Sequence, residues 1–291
     1  MTSTEQMSVP VHPFFKARTR TQLIHGDCFT QIKTLKDASI DLVITSPPYA
    51  DMKTYVDFKG IPPDEYVDWI MPLIHDIYRV LKPNGSFILN INDKVVQRFR
   101  HPYVFDLVSR IHKDTQFKMF ERLFWNKMKG LPVPNRFGDR VEFVFWFVKG
   151  RDFTFDIDAM RTPYTAGSED RMKSTIPDRF VRTETSTNTK RKAWIPNEKG
   201  AMPSTLVNIC SETRRQADTH IAVFPEALVK YFLLGCTREN DTVLDPFMGT
   251  GTTAVVCKKH NRTCIGFEAQ KSYVDVANER LFKTDLPSSG I

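Results

Sequence analysis

Two short stretches, far apart in the chain, carry residue types from which a reaction centre can be built. The first is Thr45-Ser46-Pro47-Pro48-Tyr49. Consecutive prolines fix φ and remove backbone donors, so the Ser46 hydroxyl, the Pro47 carbonyl and the Tyr49 ring are expected on a rigid loop that need not reorganise during a reaction. The second is Val243-Leu244-Asp245-Pro246-Phe247-Met248-Gly249-Thr250-Gly251-Thr252-Thr253. Glycine is scarce, 13 in 291 residues, yet Gly249 and Gly251 nearly adjoin, which suits a backbone that a ligand must approach closely. Glu268 closes the next apolar run and stands where a carboxylate can accept hydrogen bonds from ribose hydroxyls. A phosphate loop of the GxxxxGK[ST] kind needs a Lys that is absent here, and a dinucleotide loop prefers a third glycine. S-adenosylmethionine is the remaining ligand. Its cationic amino group suits Asp245, and its carboxylate suits backbone N–H groups near a helix N-terminus. A glycine-rich turn that binds nothing is the bland alternative.

These loops need elements to hold them. Ser39–Thr45, apolar and β-branched, reads as a buried parallel strand whose carboxyl end runs directly into Ser46. A helix is expected from Asp64, as N-cap, to Leu81, with Pro83-Asn84-Gly85 as its stop. A strand over 86–91, a helix near 102–112 and strands near 117–125 and 141–148 follow. Towards the C-terminus come a helix entered at Pro225 and stopped at Gly235, a strand at 241–245, the helix after Gly251, a strand at 262–268 and a helix from Ser272 to about Lys283. The alternation predicts an α/β fold: a doubly wound, mostly parallel, Rossmann-like sheet with helices on both faces. Residues 1–19 read as a flexible lead-in, 20–150 and 220–285 as the catalytic domain, and 151–219, polar and irregular, as an insertion.

The order of motifs resembles the amino-methylating DNA methyltransferases. TSPPY, LDPFMGTGTT and the downstream GFE carry the likeness, together with Gly26-Asp27-Cys28 and the segment His220–Leu228. The tetrad precedes the cofactor loop, as in the β arrangement of that family, and its leading serine resembles the N4-cytosine branch more than the N6-adenine branch, where aspartate is usual. The resemblance implies that Ser46, Pro47, Pro48 and Tyr49 are catalytic. It implies that Asp27, Cys28, Thr45, Phe224, Pro225, Asp245, Pro246, Phe247, Gly249, Gly251, Thr252 and Glu268 hold S-adenosylmethionine. It further implies a target base flipped from duplex DNA, stacked on Tyr49 and methylated directly on its amine. Ser46 and the Pro47 carbonyl would draw on the amine hydrogens; no carboxylate is assigned to accept the proton, though Asp51 is near in sequence. Trp125-Asn126-Lys127 resembles a family segment near the target base, while Trp125 and Phe124 taken alone read as core.

Composition sets the remaining bounds. Lys plus Arg total 41 against 34 Asp plus Glu, a formal +7, which weakly favours an acidic partner. Residues 94–140 hold eleven basic residues against Asp106, Asp114, Glu121 and Asp139, and the insertion adds a second basic cluster. The expected contacts to double-stranded DNA are Lys127, Arg136, Arg140, Arg182, Lys190, Arg191 and Lys192. Five cysteines without a CxxC pair argue for reduced thiols, and the histidines show no metal-ligand spacing, so no metal is expected. No Pro-Cys pair occurs, which disfavours covalent methylation at cytosine C5. No apolar run reaches the length of a membrane span. A cytoplasmic location with the DNA, a monomer or homodimer, and a cognate restriction endonuclease as partner are expected. Competing readings are N6-adenine or RNA methylation, a non-catalytic DNA-binding protein on the same scaffold and, last, a nicotinamide oxidoreductase.

Overall fold

The computed structural model describes residues 20–51, 60–128, 134–168, 196–211 and 224–284. Ten strands and six α-helices lie wholly within these residues, in chain order. They are β1 (Thr21–His25), α1 (Cys28–Gln31), β2 (Ile40–Thr45), α2 (Pro63–Val80), β3 (Leu81–Ile91), β4 (Lys94–Val96), β5 (Phe99–His101), α3 (Tyr103–Asp114), β6 (Lys118–Asn126), β7 (Val141–Val148), β8 (Leu206–Asn208), α4 (Glu226–Cys236), β9 (Thr242–Asp245), α5 (Thr252–Lys259), β10 (Thr263–Glu268) and α6 (Lys271–Lys283). Eight strands form one sheet in the order β1-β10-β9-β2-β3-β7-β6-β8, and β4 pairs only with β5.

The all-buried IDLVIT of β2 explains its central place. A strand covered on both faces must be apolar throughout, and alternate residues then serve opposite cores. Val43 packs with α2 and α3, while Leu42 and Ile44 pack with α4 and α5. The sheet is therefore doubly wound. It is mostly parallel: β1, β10, β9, β2 and β3 run together, β7 is antiparallel to β3 and β6, and β8 runs parallel to β6. One edge consequently collects the carboxyl ends of the parallel strands, the end of β6 and the start of β7.

Three expected boundaries are corrected. Helix α2 begins at Pro63 with Pro62 as N-cap, because proline suits N1; Asp64 lies in the first turn, where its Oδ1 is 3.0 Å from His101 Nε2. The helix ends at Val80, and Pro83-Asn84-Gly85 lies inside the first half of β3. That stretch is accommodated by a register shift, since Ile40 faces Leu81 but Leu42 faces Ser86. Gly235 does not stop α4; it is buried within it, where the Met160 side chain occupies the space a Cβ would need. Trp125 is core, as its surroundings in sequence suggested, and its indole donates to the Ile209 carbonyl at 2.7 Å.

The polar segment after Gly150 is fastened to this sheet where it is described. Phe153 and Met160 join the α4 core, and β8 extends the sheet beyond β6. Arg182, Lys190, Arg191, Lys192, Trp194 and His220 lie outside the described residues. No helix among the described residues is long and apolar enough to cross a membrane.

Phe232 of α4 is fully buried and meets Trp146 edge-on at 6.2 Å. Phe232→Ala should cost about 3–5 kcal/mol, read as a lower denaturation midpoint with an unchanged m-value.

Candidate active site

The two loops met first in the sequence meet in space. Thr45, the last residue of β2, donates its hydroxyl to Asp245 Oδ1 at 2.9 Å, across 200 residues of chain. Thr253 of α5 donates to the other oxygen at 2.6 Å, and the Phe247 N–H donates to Oδ1 at 3.2 Å. Burial pushes the Asp245 carboxyl up to about 6, against the pull of these three donors. Asp245 thus acts as the clamp between the tetrad strand and the glycine loop.

The glycine loop itself uses left-handed conformations that other residues adopt only at a cost. Gly251 has φ +80° and caps α5, and a Cβ there would fall 2.7 Å from Cβ of Ala277 in α6. Gly249 has φ +54° and turns its N–H to Glu268 Oε2 at 2.9 Å, while the Gln270 N–H meets Oε1 at 2.8 Å. Glu268 is held by backbone with lone pairs to spare, and its carboxyl is raised by burial.

A cavity of about 470 Å³ opens between these parts. Gly26, Asp27, Cys28 and Phe29 form one wall, Pro246, Phe247 and residues 267–270 another, and Pro48 and Trp69 close the end nearest the tetrad. Asp27 caps α1, accepting from the Phe29 N–H and the Thr30 hydroxyl. The Cys28 thiol is pushed up by burial and by Asp27, so it is no nucleophile. Trp69 was not singled out in the sequence, where it merged with the apolar stripe of α2. In the fold its ring lies 5.4 Å from Phe29 and 6.1 Å from Phe247. Phe224 and Pro225 do not line this cavity. Pro225 is the N-cap of α4, and Phe224 packs on the α4–α5 core.

The tetrad faces a polar network. Ser46 Oγ lies 3.2 Å from Tyr49 Oη, and Tyr49 donates to Glu142 Oε2 at 2.7 Å. Asn90 Nδ2 reaches the same carboxylate oxygen at 3.2 Å, and Lys127 Nζ meets Oε1 at 3.1 Å. Burial and the Glu142 charge push the Tyr49 phenol well up, so it stays a proton donor at neutral pH. From behind, the Tyr66 hydroxyl pins the Pro48 carbonyl at 2.9 Å. Glu142, at the start of β7, is a further residue that sequence reasoning missed. Its only signal was a lone acid in an otherwise apolar strand, VEFVFWFV. Lys127, expected on a phosphate-binding surface, turns inward to it. Arg136 and Arg140 are exposed, and Arg136 donates to the Arg98 carbonyl at 2.7 Å. No cluster of three metal-ligating side chains occurs among the described residues.

The Asp245 carboxyl is raised from 3.8 to about 6, so the folded chain holds a proton in that pH window that the unfolded chain has lost. Stability should therefore fall as pH rises through it, by about 3 kcal/mol in total from this group. Asp245→Asn should remove that slope in unfolding measured between about pH 4 and 7; an unchanged slope would show that Asp245 titrates normally.

The N6/N4 family profile described as DNA methylase matches residues 40–279. The chain is 31% identical over 277 residues to the type II methyltransferase M.BglII of Bacillus subtilis, covering 92% of this chain and 70% of that protein. It is 28% identical over 315 residues to the type II methyltransferase M.PvuII of Proteus hauseri, covering 100% and 92%. The solved PvuII DNA methyltransferase (cytosine-N4-specific) shares the fold with a TM-score of 0.69 at 23% identity, over 94% of this chain and 92% of that one. With the profile spanning both loops, the clamp between them and the cavity they enclose, the chain belongs to the N6/N4 DNA methylase family.

Proposed function

We propose that this protein transfers a methyl group from S-adenosylmethionine to the N4 amine of a cytosine flipped out of duplex DNA. One observation carries the reading: Pro48 of the tetrad lines the same cavity as Asp27, Phe247 and Glu268. The chemistry of that cavity fits the donor. Trp69, Phe29 and Phe247 supply flat apolar walls for a purine. Glu268 and Asp27 supply acceptors for ribose hydroxyls, and Asp245, next to the lining residue Pro246, supplies a negative charge that suits a cationic amino group. When bound, the donor supplies an electrophilic methyl group on a sulfonium.

The protein's own residues then act on the base. Ser46 Oγ and the Pro47 carbonyl accept hydrogen bonds from the amine, which draws the nitrogen out of conjugation and frees its lone pair. Tyr66 holds the loop so that these acceptors are fixed in advance. The tetrad carries no carboxylate of its own. The proton released by the methylated amine passes to Ser46 Oγ, the Ser46 proton to Tyr49 Oη, and the Tyr49 proton to Glu142. Lys127 and Asn90 hold that carboxylate in place. Tyr49 has its hydroxyl committed to this network, so its part is to orient Ser46 as well as to meet the base. Asp51 is not needed for this step.

The catalytic domain comprises 20–150 and 220–285, and the segment 151–219 reads the target sequence. Arg136, Arg140, Arg182, Lys190, Arg191 and Lys192 contact phosphate or base edges. The type II methyltransferase names of the relatives support a place in restriction–modification beside a cognate endonuclease.

Transfer of labelled methyl to defined DNA, followed by digestion to nucleosides, tests the reading directly: label on N4-methylcytosine supports it, and label on N6-methyladenine overturns the choice of base. Ser46→Ala should lower turnover roughly 10²- to 10³-fold with cofactor affinity within about twofold of wild type. Glu268→Ala should instead weaken cofactor binding roughly 10- to 100-fold, measured by calorimetry. Glu142→Gln keeps the shape but cannot take the proton, and it should slow single-turnover transfer roughly 10²-fold without raising the Kd for DNA.

A further inference from the structure

The carboxyl end of β3 does not return to the sheet but runs straight into the β4–β5 hairpin. Its turn is two residues long, because Val96 pairs with Phe99 across Gln97 and Arg98. Both turn residues have positive φ, +47° and +75°, as a type I′ turn requires, yet neither is the Gly, Asn or Asp that takes this conformation cheaply. A strained turn kept at this place presents Phe99 to solvent at 77% exposure. Beside it, residues 134–140, which lead into β7 and Glu142, present Phe137 at 97% exposure.

The two pieces are locked together. Arg136 donates to the Arg98 carbonyl at 2.7 Å, and Arg100 pairs with Asp93 and lies 3.7 Å from Asp139. Buried Asn92, at the end of β3, reaches Asp139 at 3.4 Å. These contacts join the hairpin to the segment leading into β7 as one unit, at the sheet edge that carries Ser46, Asn90 and Glu142. Its charge is one-sided: Lys94, Arg98, Arg100, Arg136 and Arg140 stand against Asp139 alone within 94–101 and 134–140. Exposed aromatics among arginines, on a unit that continues from the strand carrying Asn90 and into the strand carrying Glu142, match a polyanion that must also be pried open.

We propose that this unit opens the duplex. Phe99 and Phe137 stack into the space vacated by the extruded target nucleotide, and Arg98 and Arg140 hold the flanking phosphates. The proposal deepens the duplex-DNA reading above and places strand opening outside the 151–219 segment. Extrusion is disfavoured by lost pairing and stacking, and aromatic faces that replace the lost stack recover part of it.

The test compares two substrates: a paired duplex, and the same duplex with an abasic site opposite the target base, where extrusion is cheap. Wild-type enzyme is assayed on both, and its failure to methylate any duplex would sink the underlying reading irrespective of the variants. For Phe99→Ala combined with Phe137→Ala, kcat/KM on the paired duplex should fall roughly 10- to 100-fold. On the abasic duplex it should stay within about threefold of wild type, with cofactor affinity unchanged. Both side chains are exposed, so the fold is not at risk, and Phe99→Trp should keep the paired-duplex rate. Wild-type rates on the paired duplex, or an equal loss on both substrates, would overturn the proposal.

Discussion

A buried carboxylate is tolerated only where its oxygens are satisfied, and in this chain that requirement falls on Asp245. Its donors come from β2, from the turn that follows it and from α5, so satisfying one side chain fixes the relative position of three segments. The neighbouring ladder agrees, since Leu42 and Val43 pair with Val243 and Leu244. Everything that the site needs at its centre descends from that arrangement. The tetrad starts one residue beyond Thr45, and the glycine turn starts a few residues beyond Asp245. Because both strands are parallel and adjacent, their loops emerge at the same edge and face one cavity.

The site is built largely of hydroxyls and carboxylates that differ in how much burial they bear. Tyr49 and Cys28 are both pushed towards their neutral forms, which leaves the phenol as a donor and the thiol inert. Glu142 carries its charge beside a lysine ammonium and an amide. The serine-led tetrad thus has a carboxylate from β7 in hydrogen-bond contact with its Tyr49. The β6–β7 hairpin, which interrupts the parallel order, is what carries both members of that ion pair to the place.

Much of this was legible in the residues. Continuous β-branched runs marked β2 and β9, and the Gly249–Gly251 spacing marked a turn in the left-handed region that favours glycine. The helix after Gly251 was legible too. Features set by distant partners were not. Gly235 looked like a terminator because its packing against Met160 involves a residue 75 positions away. Pro83-Asn84-Gly85 looked like a break because a register shift in β3 leaves no local trace. Lys127 looked like one more surface cation until Glu142, on the adjoining strand, gave it a partner. Phe224 and Pro225 precede the glycine loop in the chain, and their packing at the start of α4 is likewise set by distant partners.

The segment between β7 and α4 is moored at both of its described ends. Met160 is seated against Gly235 near one end, and Leu206–Asn208 is stitched to β6 near the other. Two points fastened to one slab stay fixed whatever joins them, and the entropic cost of lengthening a connection between them grows only slowly with its length. Under the proposed reading of that stretch as the recognition segment, a change of target would leave the Asp245 clamp and the tetrad where they are.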